Sequence, residues 1–127
     1  MPLLDFTSMQ SKPFSPLILA AAMLWLAASA LPSSANTTVS VTASNYEFTP
    51  AKVVAHVGDP TTLHLTSSAG MHGIMSKDLG IPQTVIVPGK AVDVTFTPAK
   101  PGTYKVPCSV ICGPGHAGMV LTVDAQP

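Results

Sequence analysis

A chain of 127 residues with zero formal net charge and only 9% charged residues has little with which to hold a polyanion. All six of its cationic side chains are lysines, so nucleic acid and a polybasic membrane patch are both poorly matched partners. Docking then rests on apolar contact and local polar groups, because long-range steering by charge is weak.

Near the N-terminus, Lys12 precedes the apolar run Leu17-Ile18-Leu19-Ala20-Ala21-Ala22-Met23-Leu24-Trp25-Leu26, and small residues follow as far as Ala35. This is the layout of an export signal, with Ser33-Ser34-Ala35 or Ala28-Ser29-Ala30 as the cleavage site. The apolar stretch 17–31 is shorter than the roughly 17–25 residues of a spanning helix. Kept uncleaved, it would act as a marginal membrane anchor. Residues 1–35 are therefore read as a signal peptide or anchor and residues 36–127 as one domain, in the periplasm or on the outer face of the cytoplasmic membrane. A domain of that size buries only about 60–65% of its unfolded surface, so a bound metal would add to its stability.

No stretch after residue 36 keeps a helical period. Short β-type runs follow one another instead, between clusters of Pro, Gly and Ser/Thr. Residues 38–42 alternate with period two. The run 52–57 follows Pro50 and stops at Gly58-Asp59-Pro60. Residues 61–66 alternate again, 84–87 close at Pro88-Gly89-Lys90, and 92–96 end near Pro98. Residues 102–106 lead into Cys108, and 119–123 leave the segment beyond it. This spacing predicts an all-β fold, an antiparallel Greek-key β-sandwich of about 7–8 strands. The 13 prolines suit that architecture and not a helical bundle.

The chemistry concentrates in one segment, Cys108-Ser109-Val110-Ile111-Cys112-Gly113-Pro114-Gly115-His116-Ala117-Gly118-Met119, which lies between the last two predicted strands. Both cysteines of the chain are in it. His72 is a further ligand-type residue between the third and fourth runs. Thiolate, imidazole and thioether form the set that copper favours over hard cations, whereas zinc has little use for a thioether. Two plainer readings compete. In an oxidising compartment Cys108 and Cys112 could pair as a disulfide, and His116 and Met119 could merely pack in the loop. His64, between Leu63 and Leu65, and His56 are read as sheet-face residues. Met71 and Met75 flank His72 and are read as gap-fillers in preference to lining for a copper pocket, and Val110, Ile111 and Val120 as apolar cover for the segment.

The pattern Cys108-x-x-x-Cys112-Gly113-x-x-His116-x-x-Met119 closely resembles the binuclear copper A loop of cytochrome c oxidase subunit II. The likeness extends to His72-Gly73-Ile74, Val87-Pro88-Gly89 and Gly102-Thr103-Tyr104. Tyr46-Glu47-Phe48-Thr49-Pro50 with Gly58-Asp59 is similar to the wider cupredoxin pattern. The resemblance implies a cupredoxin-like sandwich with two copper ions bridged by Cys108 and Cys112. His72 and His116 would each complete one copper. Met119 would be a weak ligand to one ion, and the main-chain carbonyl of Val110 to the other. Many members carry an acidic or amide residue where this chain has Val110; a backbone ligand survives that change. The implied function is single-electron relay by a monomer, as an oxidase subunit II-like module or a free carrier. Its partner would be a redox protein such as a cytochrome c or an oxidase catalytic subunit. No catalysis is expected of the chain alone. Copper delivery or storage, and a mononuclear blue-copper carrier with one spare cysteine, remain as alternatives. Family members often set an aromatic side chain near the copper, but sequence does not say which of Tyr46, Phe48, Phe96 or Tyr104 would serve.

Overall fold

Alternation of apolar and polar residues gives most of the nine strands among the described residues two unlike faces, and the apolar faces meet. A computed structural model describes residues 30, 31 and 33–127, so the expected signal or anchor segment lies almost wholly outside the described residues. Among the described residues no helix is long and apolar enough to cross a membrane. One sheet has the order β2 (Glu47–Thr49), β1 (Thr37–Ser44), β4 (Thr61–Ser67) and β7 (Val92–Phe96). A second places β9 (Val120–Gln126) between β3 (Lys52–His56) and β8 (Gly102–Pro107). A two-stranded sheet pairs β5 (His72–Ser76) with β6 (Ile81–Ile86).

The core forms where the inner faces meet. Val41, Ala43, Leu63, Leu65, Val94 and Phe96 face inward from the first sheet, and Val53, Ala55, Val106, Leu121 and Val123 from the second. Each is followed by an outward-facing residue, polar except at Val54 and Pro107, the signature of sheets buried on one side only. Fully burying a Leu or Val side chain is worth about 1.5–3 kcal/mol. The outer face of the first sheet is lined with hydroxyls, and Thr62 Oγ1 lies 2.7 Å from Thr95 Oγ1 across β4 and β7.

The all-β sandwich expected from sequence is the fold observed, with two differences. Strands β2 and β5 were not anticipated. β2 has only three residues, too few to establish a period, and His72, Gly73 and Ile74 of β5 are all buried, so that strand shows no period of two. The strands are also not all antiparallel: β1 runs parallel to β4 and β3 parallel to β9. β3 leaves the first sheet to become an edge of the second, and β4 then returns beside β1. Which strand becomes a neighbour is settled by these crossings, which a local hydrophobic pattern does not encode.

Candidate metal centre

Three segments meet at one end of the sandwich. Cys108 directly follows β8 and Met119 directly precedes β9, and the Cys108 amide donates to the Met119 carbonyl at 2.9 Å. The two sheet strands thereby close the base of the loop. Inside it the amides of His116, Gly118 and Met119 donate to the carbonyls of Gly113, Gly115 and His116 at 3.1, 3.1 and 3.2 Å. The result is a short 3-10 turn, His116–Gly118. β5 brings the remaining residue. The Ser109 amide donates to the Gly73 carbonyl at 2.9 Å, and Ile74 bridges Cys108. Gly73 permits this approach: a β-carbon there would lie 2.7 Å from Ser109 Oγ and 2.8 Å from Val110 Cγ2.

Every residue predicted as a ligand arrives at this point. The ligand atoms of His72, Cys108 and Cys112 all lie within 4.8 Å of one another. Cys108 Sγ is 3.8 Å from Cys112 Sγ and 3.2 Å from the Val110 carbonyl oxygen. Cys112 Sγ is in turn 3.6 Å from His116 Nδ1 and 3.8 Å from Met119 Sδ. His72 and Met119 are fully buried and Cys108 nearly so. The cysteines are free thiols, at nearly twice the roughly 2.03–2.05 Å of a disulfide bond. The loop therefore holds two sulfurs side by side without joining them.

Hydrogen bonding fixes which nitrogen of His72 is left free to bind a metal. Nε2 lies 2.7 Å from the Ala69 carbonyl oxygen. A carbonyl only accepts, so Nε2 carries the proton and Nδ1 keeps its lone pair. Nδ1 is buried and has no hydrogen-bond partner. A buried nitrogen lone pair left without a partner costs about 1–3 kcal/mol, and a metal ion beside two thiolates would satisfy it. Backbone orientation of a ligating imidazole through its other nitrogen is the usual outer-shell device in metal sites. The thiol of Cys112 is pushed above its ordinary range, first by burial and then by the neighbouring Cys108, with a backbone hydrogen bond opposing the rise. The donor set is soft and low in charge, and it fits copper better than zinc, calcium or magnesium.

Several neighbouring residues differ from their sequence readings. Met71 and Met75 are exposed and fill no gap in the core. Ile111 is 87% exposed and gives the site no cover, while Val110 and Val120 are half-buried. A continuous apolar stretch in a loop does not reveal which side chain turns outward. His64 stands on the outer face of β4, with Nδ1 2.6 Å from Asp93 Oδ1, and His56 is exposed on β3. Phe48 and Phe96 are core residues, and the Tyr104 hydroxyl donates to the Lys100 carbonyl at 2.6 Å. Tyr46 is the aromatic that meets the loop, lying against Gly113 and Gly115. Sequence reading also missed Ala69, because an orienting carbonyl leaves no side-chain signal.

A family model described as a cupredoxin-like domain matches residues 16–121. The chain belongs to the cupredoxin-like family. Solved structures agree on the fold. This cupredoxin-like chain is similar to the periplasmic domain of cytochrome oxidase subunit II from Bradyrhizobium japonicum. There the TM-score is 0.64 at 17% identity, over 71% of this chain and 83% of that one. Subunit II of cytochrome c oxidase, in a mixed disulfide with a thioredoxin-like protein, matches at TM-score 0.60 and 17% identity, over 76% and 85% of the two chains. Auracyanin A, a blue copper protein from Chloroflexus aurantiacus, matches at TM-score 0.55 and 15% identity, over 72% of this chain and all of that one. At these identities the likeness is one of fold.

Proposed function

We propose that this chain is an extracytoplasmic copper protein that relays single electrons through a binuclear centre. In this reading residues 1–35 form the export leader or anchor and residues 36–127 the working domain. The observation that carries it is the pair of unjoined sulfurs 3.8 Å apart, flanked by His72 and His116. Copper held there supplies a one-electron change between two oxidation states. Cys108 and Cys112 would bridge two ions. His72 Nδ1 and His116 Nδ1 would each complete one, with the Met119 thioether and the Val110 carbonyl as weak outer donors. Closure of the loop by β8 and β9 limits how far these atoms move when charge changes, which is what fast transfer requires.

Partners follow from the same geometry. The exposed side chains of Met71 and Ile111 adjoin His72 and Cys112 in sequence and offer an uncharged contact surface. A cytochrome c or an oxidase catalytic subunit suits such a surface. Before copper can bind, the thiols must be reduced, and a thioredoxin-like protein is a fitting reductant. The subunit II relative trapped in a mixed disulfide with such a protein supports this.

A mononuclear reading has one specific observation behind it. Cys112 Sγ alone has His116 Nδ1 at 3.6 Å, Met119 Sδ at 3.8 Å and the His72 ligand atom within 4.8 Å. That is the two-histidine, one-cysteine, one-methionine set of blue copper. Cys108→Ser separates the two readings. In a binuclear centre the variant loses one copper and the spectrum of a shared electron. In a mononuclear centre it keeps its single copper and its absorption unchanged. Rapid surrender of copper(I) by the parent chain to a chelator would point instead to copper delivery.

A further inference from the structure

Ligands come from two separate segments, the turn before His72 and the loop from Cys108 to Met119. Neither has much side-chain bulk of its own. The first turn reads Ser67-Ser68-Ala69-Gly70, and the second passes through Gly113-Pro114-Gly115. Glycine-rich backbone is mobile unless something packs on it. Two adjacent residues at the tip of the β1–β2 hairpin pack on these segments, Asn45 on the first and Tyr46 on the second. A β-carbon on Gly70 would lie 2.6 Å from Asn45 Oδ1 and 3.1 Å from His72 Nε2, so the Asn45 amide, Gly70 and the imidazole edge share one small space. A β-carbon on Gly113 would lie 2.5 Å from Tyr46 Oη, and one on Gly115 would overlap the Tyr46 ring. Three glycines are thus needed where this one hairpin tip comes close.

We infer that Asn45 and Tyr46 are positioning residues of the metal centre. They brace the His72 turn and the cysteine loop against each other from outside the ligand shell. Two further contacts complete the brace at the His72 side. The Ser67 hydroxyl donates to the Gly70 carbonyl at 2.6 Å, and the Ser68 amide donates to the Ala43 carbonyl on β1 at 2.9 Å. The turn that presents the Ala69 carbonyl to His72 is therefore tied to the strand that leads into Asn45. Tyr46 stays 36% exposed, so its ring serves the loop and not the core.

This inference rests on reading the cluster as a metal centre, but its test begins without metal. In the reduced, copper-free full chain, Tyr46→Ala should speed hydrogen exchange at the amides from Ser109 to Met119 and leave the sandwich strands unchanged. Tyr46→Phe keeps the ring and should restore parental exchange. With copper(I) bound, Tyr46→Ala should release it to a chelator on the order of tenfold faster. Leu63→Ala, a core change on β4 in the other sheet, serves as the control for general destabilisation. Should Tyr46→Ala not fold, Asn45→Ala supplies the second arm, with faster exchange of the His72 Nε2 proton expected. Parental loop exchange in Tyr46→Ala, or equal loosening of the loop by Leu63→Ala, overturns the brace. If the parent bound no copper(I), the metal reading would fail while loop exchange still decided the brace.

Discussion

A half-buried thiol beside a second thiol holds its proton longer than one in water, and Cys112 is so placed. In the unfolded chain it deprotonates at its ordinary value; in the folded chain it does so higher. The unfolded state therefore loses its proton first as pH rises. The stabilising contribution is complete below the ordinary thiol range and disappears as pH climbs through the raised folded value. Urea unfolding of the reduced, copper-free chain should accordingly show stability falling as pH rises through and beyond the ordinary thiol range, with a smaller slope in Cys112→Ser. A slope that is the same in both contradicts the placement of that thiol. At this scale the sequence was informative about side chains and silent about backbone. Cys108, Cys112, His116, Met119 and His72 could be named because each carries a donor atom. The carbonyl of Ala69 and the glycine contacts of Tyr46 could not, because backbone contacts depend on how distant turns meet.

Among the elements, β5 does the most to complete the site, and Gly73 sets how near it comes. A β-carbon at this position meets Ser109 Oγ at 2.7 Å, Val110 Cγ2 at 2.8 Å and the Thr84 carbonyl oxygen at 2.9 Å. One of the three is backbone, so the strand and not only a side chain must shift. Gly73→Ala should cost about 1–3 kcal/mol as an overpacking change, and it should move His72 away from the thiols and weaken copper retention. Thermal unfolding and copper titration check the two effects separately. Unaltered copper binding would show that β5 is not held as tightly as the contacts require. The strands with clean alternation, such as 61–66 and 92–96, were legible because burial on one face leaves a period of two. β5 was not, because both of its faces are covered near the loop, and such a strand loses its pattern.

For the whole molecule, a small sandwich with three modest sheets among the described residues has limited core, and the candidate metal centre lies where the β5–β6 sheet joins the β8–β9 pair. Copper bound there would tie the two together. A thousandfold excess of free copper over its dissociation constant adds about 4 kcal/mol to the folding free energy. Copper-loaded protein should thus unfold at a distinctly higher temperature than the copper-free form, and a chelator should reverse the gain. The class of fold could be read from turn spacing and proline content, and the crossings that make β1–β4 and β3–β9 parallel could not, since they are settled by global packing. The most direct test of the account is copper stoichiometry with electron paramagnetic resonance on the reduced chain after copper loading. The account predicts two coppers per chain and hyperfine structure from one electron shared equally by two nuclei. One copper per chain, or none with Cys108 and Cys112 joined as a disulfide, would contradict it.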